Sequence, residues 1–143
     1  MSIDEIARGR DVLAQLTVLD EHIASTARMH GVDPGLMKAI VYGEQTHQLP
    51  FEALAESLGL GKTVGLGQVT VGMNRFSRQV LLDPATNVTA MAAHLMQLQR
   101  EPLIDPRNPI ASLATRYNCG ACTAISPYGR RVHAYYLAFF KQE

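Results

Sequence analysis

The sequence has few charged residues, and the two signs are balanced. Only 18% of its 143 residues are charged, with 13 basic and 13 acidic side chains, whereas globular proteins usually have about 25%. A net charge of zero argues against a strong field for nucleic acid or an anionic membrane surface. Long hydrophobic runs are also lacking, since the longest, from Ala134 to Phe140, is far too short to cross a bilayer. We therefore expect neither a nucleic-acid partner nor a membrane span.

Cysteine is scarce as well. The chain has two, Cys119 and Cys122, in a single C-x-x-C pattern. One such pair is too small a ligand set for a structural zinc site, and no βαβ pattern surrounds it as in a thioredoxin-like redox motif. Two small, partly buried thiols, or one local disulfide in an oxidising compartment, remain as alternatives.

The five histidines do not form a metal-binding pattern. They are scattered along the chain as His22, His30, His47, His94 and His133. The sequence has no H-E-x-x-H motif and no clear pair of histidines four residues apart. We therefore expect no metal site and no cofactor.

The N-terminal residues do not resemble a secretory signal peptide. The first eight, Met1 to Arg8, include early acidic residues and no apolar segment. Three explanations fit this observation: the protein stays in the cytoplasm, a dedicated machine exports it, or a signal has been removed.

Four pairs of residues predict helix starts. In each pair a capping residue precedes proline: Asp33-Pro34, Asp83-Pro84, Asn108-Pro109 and Ser126-Pro127. Side-chain oxygens of these capping residues accept hydrogen bonds from the free N–H groups of a first turn, where proline also presets the backbone. Apolar residues then recur at three- and four-residue steps, as at Val88, Met91 and Leu95.

The other segments complete a mainly α prediction. The stretch from Ile6 to Ala27 is a further amphipathic helix candidate, with a break near Asp20 as an open option, and Phe51 to Leu58 fits a short helix. Hydrophobic residues make up 47% of the chain, and a chain of this length buries roughly two-thirds of its unfolded surface. The sequence therefore predicts one domain, residues 1–143, with about six to seven helices.

The segment from Gly59 to Gly72 breaks the helical pattern. Its glycines alternate with valine and leucine, which predicts a loop or a short β insertion. The tripeptide at 61–63 (GKT) suggests a phosphate-binding loop, but Glu56 replaces the first glycine of that motif and no strand precedes it. We therefore reject a nucleotide site and expect a loop whose backbone closely approaches a helix or a ligand.

Glu44 is the residue for which we predict chemistry. It lies at the expected end of the helix that begins after Asp33, behind an apolar stretch from Leu36 to Tyr42. A carboxyl group partly buried there would have a raised pKa, because burial disfavours the charged form. Such an acid can protonate the leaving oxygen of a glycosidic bond near neutral pH. Taken alone, however, a glutamate at a helix end is most often a solvated surface group.

Further motifs follow Glu44 in a recognisable order. They are Gly65-Leu66-Gly67-Gln68, then Asp83-Pro84 with Asn87, then Arg116-Tyr117-Asn118-Cys119-Gly120, and finally a helix with Tyr128 and Tyr135. Two further matches come before Glu44 in the chain: Gly31-Val32-Asp33-Pro34 and Ala39-Ile40. In order and spacing, from about Ile23 to Tyr136, these motifs resemble the soluble (SLT-type) lytic transglycosylases of the lysozyme-like superfamily. The motif with an arginine before its tyrosine more closely resembles that of the small specialised enzymes that accompany secretion or conjugation machines.

The resemblance implies a fold and a substrate. The fold would be lysozyme-like, with residues 1–22 as an N-terminal helical extension and residues 23–136 as the core that carries the motifs. The substrate would be bacterial peptidoglycan, cut between N-acetylmuramic acid and N-acetylglucosamine without water, to give a 1,6-anhydro ring. The enzyme would then act in the periplasm or cell wall, and a secretion apparatus or an immunity protein would be a further candidate partner.

The resemblance also implies a role for each motif residue. Glu44 would act first as an acid and then as a base, with Tyr117 near it to influence its protonation. The substrate-binding residues would be Gly67, Gln68, Tyr117, Asn118, Tyr128 and Tyr135. Structural alternatives stay open, because Gln68 also fits a role in satisfying loop backbone and Tyr135 fits a core position.

Three other functions stay open. A lysozyme-like muramidase would use a second carboxylate across the sugar, but the nearest downstream acids, Glu52 and Glu56, lie outside the matched motifs, which favours the lyase. A non-catalytic wall-binding module is a second alternative, since Gln45 and Gly67 replace the serine and methionine of the family motifs. A thiol-redox protein that uses the C-x-x-C pair is the third.

Overall fold

The described part of the chain is mainly helical, which confirms the predicted fold class. The computed structural model describes residues 3–46, 63–64, 69–70 and 83–141. The elements in these ranges are α1 (Ile3–Met29), α2 (Pro34–Thr46), β1 (Thr63–Val64), β2 (Val69–Thr70), α3 (Pro84–Gln99), α4 (Pro109–Asn118), α5 (Pro127–Tyr135) and a π-helical segment (Tyr136–Phe140). The helix predicted from Phe51 to Leu58 lies outside the described residues.

The four helix starts predicted from the proline pairs are confirmed. Helices α2, α3, α4 and α5 each begin at the proline of one pair. At α2, Asp33 Oδ1 accepts hydrogen bonds from the N–H groups of Gly35 and Leu36 at 2.8 and 3.3 Å, and Asp83 caps α3 in a similar way. Asn108 before α4 makes no side-chain capping bond, so this start depends on the preset backbone of proline.

Helix α1 is continuous, so a break near Asp20 is wrong. The helix runs from Ile3 to Met29 without interruption. Its apolar face continues across the expected break in steps of four and seven residues, with Val12, Leu16, Ile23 and Ala27 all buried. A break would turn one half of this face away from the core and expose its apolar side chains, which explains why the helix stays whole.

Helix α2 lies at the centre of the core. Nine of its 13 residues are buried, and it contacts α1, α4, α5 and the π-helical segment. The largest fully buried side chains of the core include Ile23, Leu36, Met37, Ile40, Met91 and Leu95. Because neighbours cover α2 on several sides, packing holds its last turn in place, and that turn carries Glu44.

Helices α4 and α5 approach each other closely at Gly129. A Cβ atom at this position would lie 2.0 Å from Thr115 Oγ1 and 2.6 Å from the carbonyl oxygen of Ala111. Both distances are far shorter than a van der Waals contact, so a residue without a side chain is required here. The approach brings the end of α4 and the start of α5 together.

The strands β1 and β2 pair antiparallel, with Thr63 opposite Thr70 and Val64 opposite Val69. For the glycine-rich segment we predicted either a loop or a short β insertion, and this pairing confirms the β insertion. Strand β2 contacts α3. The remaining residues of the segment lie outside the described part of the chain.

Candidate active site

Glu44 and Tyr128 meet where α2 packs against α5. Glu44 lies in the last turn of α2, Tyr128 lies in the first turn of α5, and both residues are half-buried. The Tyr128 hydroxyl donates a hydrogen bond to Glu44 Oε1 at 2.5 Å. Hydrogen bonds from a hydroxyl to a carboxylate at such distances are charge-assisted and roughly twice as strong as neutral ones. This bond therefore orients the carboxyl group.

Tyr117 is a second phenol whose pKa depends on the same carboxyl. It lies in the last turn of α4. Burial first, and then the negative charge of Glu44, raise the pKa of Tyr117 well above its usual value near 10. The pKa of the Tyr117 hydroxyl therefore depends in part on the charge of Glu44.

The Tyr128 hydroxyl stays protonated for similar reasons. Burial raises its pKa most, followed by the charge of Glu44 and by the hydrogen bond to Glu44. Each cause disfavours a phenolate beside a carboxylate. At neutral pH both phenols are therefore uncharged, and Tyr128 is the donor in its hydrogen bond to Glu44.

The connection between α4 and α5 places the two tyrosines. Ser126 Oγ accepts a hydrogen bond from the Gly129 N–H at 3.1 Å and so caps α5. The backbone N–H of Ser126 donates to Thr115 Oγ1 in α4, also at 3.1 Å. These bonds join the helix that carries Tyr117 to the helix that carries Tyr128.

A disulfide closes the turn that follows Tyr117. Cys119 and Cys122 form a disulfide, with their Cα atoms 5.5 Å apart. Of the two alternatives, a pair of free thiols or a local disulfide, the disulfide is therefore confirmed. The Arg116 guanidinium donates one hydrogen bond to the Gly120 carbonyl within this turn and another to the Glu101 carboxylate. Sequence reasoning missed this pairing, because no local pattern relates Arg116 to a carboxylate before the start of α4.

The other predicted site residues have different positions. Asn118 is the exposed last residue of α4. Tyr135 packs edge-on against Tyr42, with ring centroids 4.8 Å apart and planes at 69°, which corresponds to the core position considered for it. Gly67 and Gln68 lie outside the described residues, so their sugar contacts stay predictions.

His94 is a neighbour of the site that the sequence analysis did not select. Its ring lies 5.4 Å from the Tyr117 ring, with the planes at 48°. Burial lowers the pKa of His94, and the charge of Glu101 opposes this change only in part. Its position in the sequence could have indicated this: His94 lies three residues after buried Met91 and four before buried Leu98, a helical spacing that places it on the same face as these two residues.

Two further observations concern only the ranges that the structure describes. There, no three side chains of His, Cys, Asp or Glu come together as ligands for a metal ion. In the same ranges, every helix is either too short or too polar to cross a bilayer.

Comparisons with family models, curated proteins and solved structures found no match to this chain. The interpretation as a lytic transglycosylase therefore depends on the order of the motifs and on the geometry around Glu44. Activity measurements on the purified protein can test this interpretation.

Proposed function

We propose that this chain is a peptidoglycan lytic transglycosylase with a lysozyme-like fold, and that Glu44 is its single acid and base. The observation that carries the proposal is the hydrogen bond from Tyr128 to half-buried Glu44. The nearby Tyr117 and the order of the sequence motifs support the same assignment. The substrate would be the glycan strand, cut at the β-1,4 bond from N-acetylmuramic acid to N-acetylglucosamine.

Glu44 would act first as an acid. In its protonated form it donates a proton to the glycosidic oxygen while an oxocarbenium-like centre develops at C1 of the muramic acid. The resulting carboxylate then takes the proton of the 6-hydroxyl group of the same sugar. The 6-oxygen attacks C1 and closes the 1,6-anhydro ring. Glu44 is protonated again at the end, and no water is consumed.

The two tyrosines would support these steps in different ways. Tyr128 keeps the carboxyl group in one orientation and stabilises the carboxylate that forms after the first proton transfer. Tyr117 places an uncharged aromatic side chain near the carboxyl and limits the access of water to it. Together they allow one carboxyl group to change roles without moving.

The proposed substrate implies a place of action. Peptidoglycan lies outside the cytoplasm, so the enzyme would work in the periplasm or cell wall. The disulfide between Cys119 and Cys122 fits an oxidising compartment of this kind. A secretion or conjugation apparatus is the export route that the motif resemblance favours.

The first test compares Glu44→Gln with the parent protein on purified peptidoglycan. Glutamine preserves the size of the side chain but cannot donate or accept the proton, so we expect a loss of about 100- to 10,000-fold in the release of soluble fragments. Circular dichroism should show an unchanged helical content. Glu21→Gln is the matched control, because the Glu21 side chain in α1 is 87% exposed, and it should cut at the parent rate.

Mass spectrometry of the products decides the type of reaction. Fragments that end in 1,6-anhydro sugars support the lyase, whereas reducing ends would indicate a muramidase. Binding to insoluble peptidoglycan without any soluble product would indicate a non-catalytic wall-binding module. If Glu44→Gln releases soluble fragments from peptidoglycan as fast as the parent protein does, another group is the acid.

A further inference from the structure

The turn after Tyr117 is closed by several independent contacts. The Cys119–Cys122 disulfide joins its ends, and the Cys122 N–H donates to the Cys119 carbonyl at 3.2 Å. The Cys119 N–H in turn donates to the Thr115 carbonyl in α4 at 2.7 Å. The Arg116 guanidinium adds a hydrogen bond to the Gly120 carbonyl between the two cysteines. The turn is therefore held to the end of the helix that carries Tyr117.

Arg116 also connects this turn to a separate part of the chain. Its side chain is only 9% exposed, and its guanidinium forms an ion pair with the Glu101 carboxylate, which lies between α3 and α4. A buried guanidinium needs partners for its charge, and two Arg116 nitrogens have them, whereas its buried Nε–H has none among the described residues. The planar group of arginine can serve two acceptors at once, whereas the single ammonium of lysine does so poorly. Arg116 therefore links Glu101 to Gly120.

This link acts at the residue next to Tyr117. The last turn of a helix lacks part of its backbone hydrogen bonding and frays unless other groups stabilise it. Here the neighbouring side chain, Arg116, is anchored on both Glu101 and the disulfide turn. A shift of this anchor would move the backbone of Tyr117 and with it the Tyr117 phenol.

On the basis of the proposed function, which gives Tyr117 a role at the acid, we propose that Arg116 is a positioning residue: it holds the disulfide turn on Glu101 and thereby fixes Tyr117 at the end of α4. Arg116 itself contacts neither the acid nor the sugar in this scheme. Opening the disulfide should weaken the same support, because it removes one of the closures of the turn. A dithiol reductant does this by giving each cysteine sulfur one electron and one proton, and it becomes a disulfide itself.

The test uses Arg116→Lys, which keeps the buried positive charge but cannot bridge both acceptors in the same geometry. We expect kcat on peptidoglycan to fall about tenfold with KM nearly unchanged, since a small misplacement near the acid affects the chemical step more than binding. Treating the parent protein with dithiothreitol should lower kcat in the same direction. The reduced protein needs no substitution, so it supplies a second test if the variant folds poorly.

A spectroscopic measurement tests the same idea without catalysis. The ultraviolet absorbance of phenolate counts the tyrosines that titrate near pH 10, and Tyr117 in the parent should not be among them, because its pKa is well above 10. In Arg116→Lys one additional tyrosine should titrate in this range. Adding Tyr117→Phe to that variant should remove the additional signal and so identify the residue.

Arg107→Lys is the matched control for the loss of an arginine ion pair. The Arg107 side chain is 93% exposed and pairs with Asp105 at 3.8 Å, so both its kcat and its tyrosine titration should equal those of the parent. Parent values of both quantities in Arg116→Lys would overturn the positioning role. If instead the parent and Glu44→Gln fail equally to cut peptidoglycan, the proposed function fails, and the tyrosine titration still decides whether Arg116 holds Tyr117.

Discussion

The Tyr128 hydroxyl donates a 2.5 Å hydrogen bond to Glu44 Oε1, although 84 residues separate the two in the chain. Glu44 is near the end of one helix, and Tyr128 is near the start of another. The bond therefore links the proposed acid to the start of α5. It makes the orientation of the carboxyl depend on how α2 and α5 pack.

We expect Tyr128→Phe to lower kcat/KM on peptidoglycan by about tenfold to a hundredfold. A hydrogen bond to a charged group contributes about 1.5–3 kcal/mol, and the variant removes only the hydroxyl that makes it. Tyr136→Phe is the control, because it removes another hydrogen bond to a carboxylate, from the Tyr136 hydroxyl to Asp33 Oδ2 at 2.8 Å. It should retain the parent kcat/KM. Equal kcat/KM for Tyr128→Phe and the parent would show that this bond does not assist Glu44.

Alkaline pH should destabilise the fold through Tyr117 and Tyr128. Both have a pKa in the folded protein that is raised above the value near 10 of an exposed tyrosine. Below pH 10 the folded and unfolded chains both keep these protons, so this contribution to stability is fully present. Above pH 10 only the unfolded chain releases them, so the free energy of unfolding falls by up to about 1.4 kcal/mol per pH unit for each tyrosine.

Thermal unfolding between about pH 9 and pH 11 measures this effect. Tyr128→Phe lacks one of the two groups, so its melting temperature should fall less steeply with pH than that of the parent. Tyr136→Phe should reduce the slope as well, since burial and the hydrogen bond to Asp33 raise the pKa of Tyr136 to about 12. Identical slopes in the parent and Tyr128→Phe would contradict the assignment of Tyr128 as a half-buried, protonated donor.

Gly129→Ala should destabilise the protein and disturb the site. The added Cβ would lie 2.0 Å from Thr115 Oγ1, so α5 must move away from α4, and overpacking of this kind costs about 1–3 kcal/mol. Urea unfolding measures the loss of stability. Gly120→Ala is the control, because nothing lies within 4 Å of a Cβ at that position, and it should cost far less. Similar losses in the two variants would mean that the contact between α4 and α5 tolerates an added methyl group.

The sequence predicted the helix starts well because capping is local. Asp33 and Ser126 bond to N–H groups two or three residues further along, and proline constrains the backbone at the next position. The continuity of α1 was harder to predict. Asp20 interrupts a mostly apolar face and suggests a break, whereas the burial of residues on both sides keeps the helix whole.

The candidate site was predictable in part. Glu44, Tyr117 and Tyr128 were selected because they match motifs in a family order; the structure joins Tyr128 to Glu44 by a hydrogen bond, and the charge of Glu44 contributes to the raised pKa of Tyr117. Arg116 and His94 were not selected for roles at the site. Their partners, Glu101 and Tyr117, lie 15 and 23 residues away in the sequence, so no helical or turn periodicity relates them.

The sequence by itself determined the mainly α class, the residues at which four helices begin, and one glutamate at the end of the second helix. Those features depend on hydrogen bonds and backbone preferences within a few neighbouring residues. Only the tertiary structure decided that the Tyr128 hydroxyl reaches Glu44 and that Arg116 anchors the turn after Tyr117. Such contacts depend on how closely the helices pack, and that distance is decided by buried side chains and by single close approaches such as the one at Gly129.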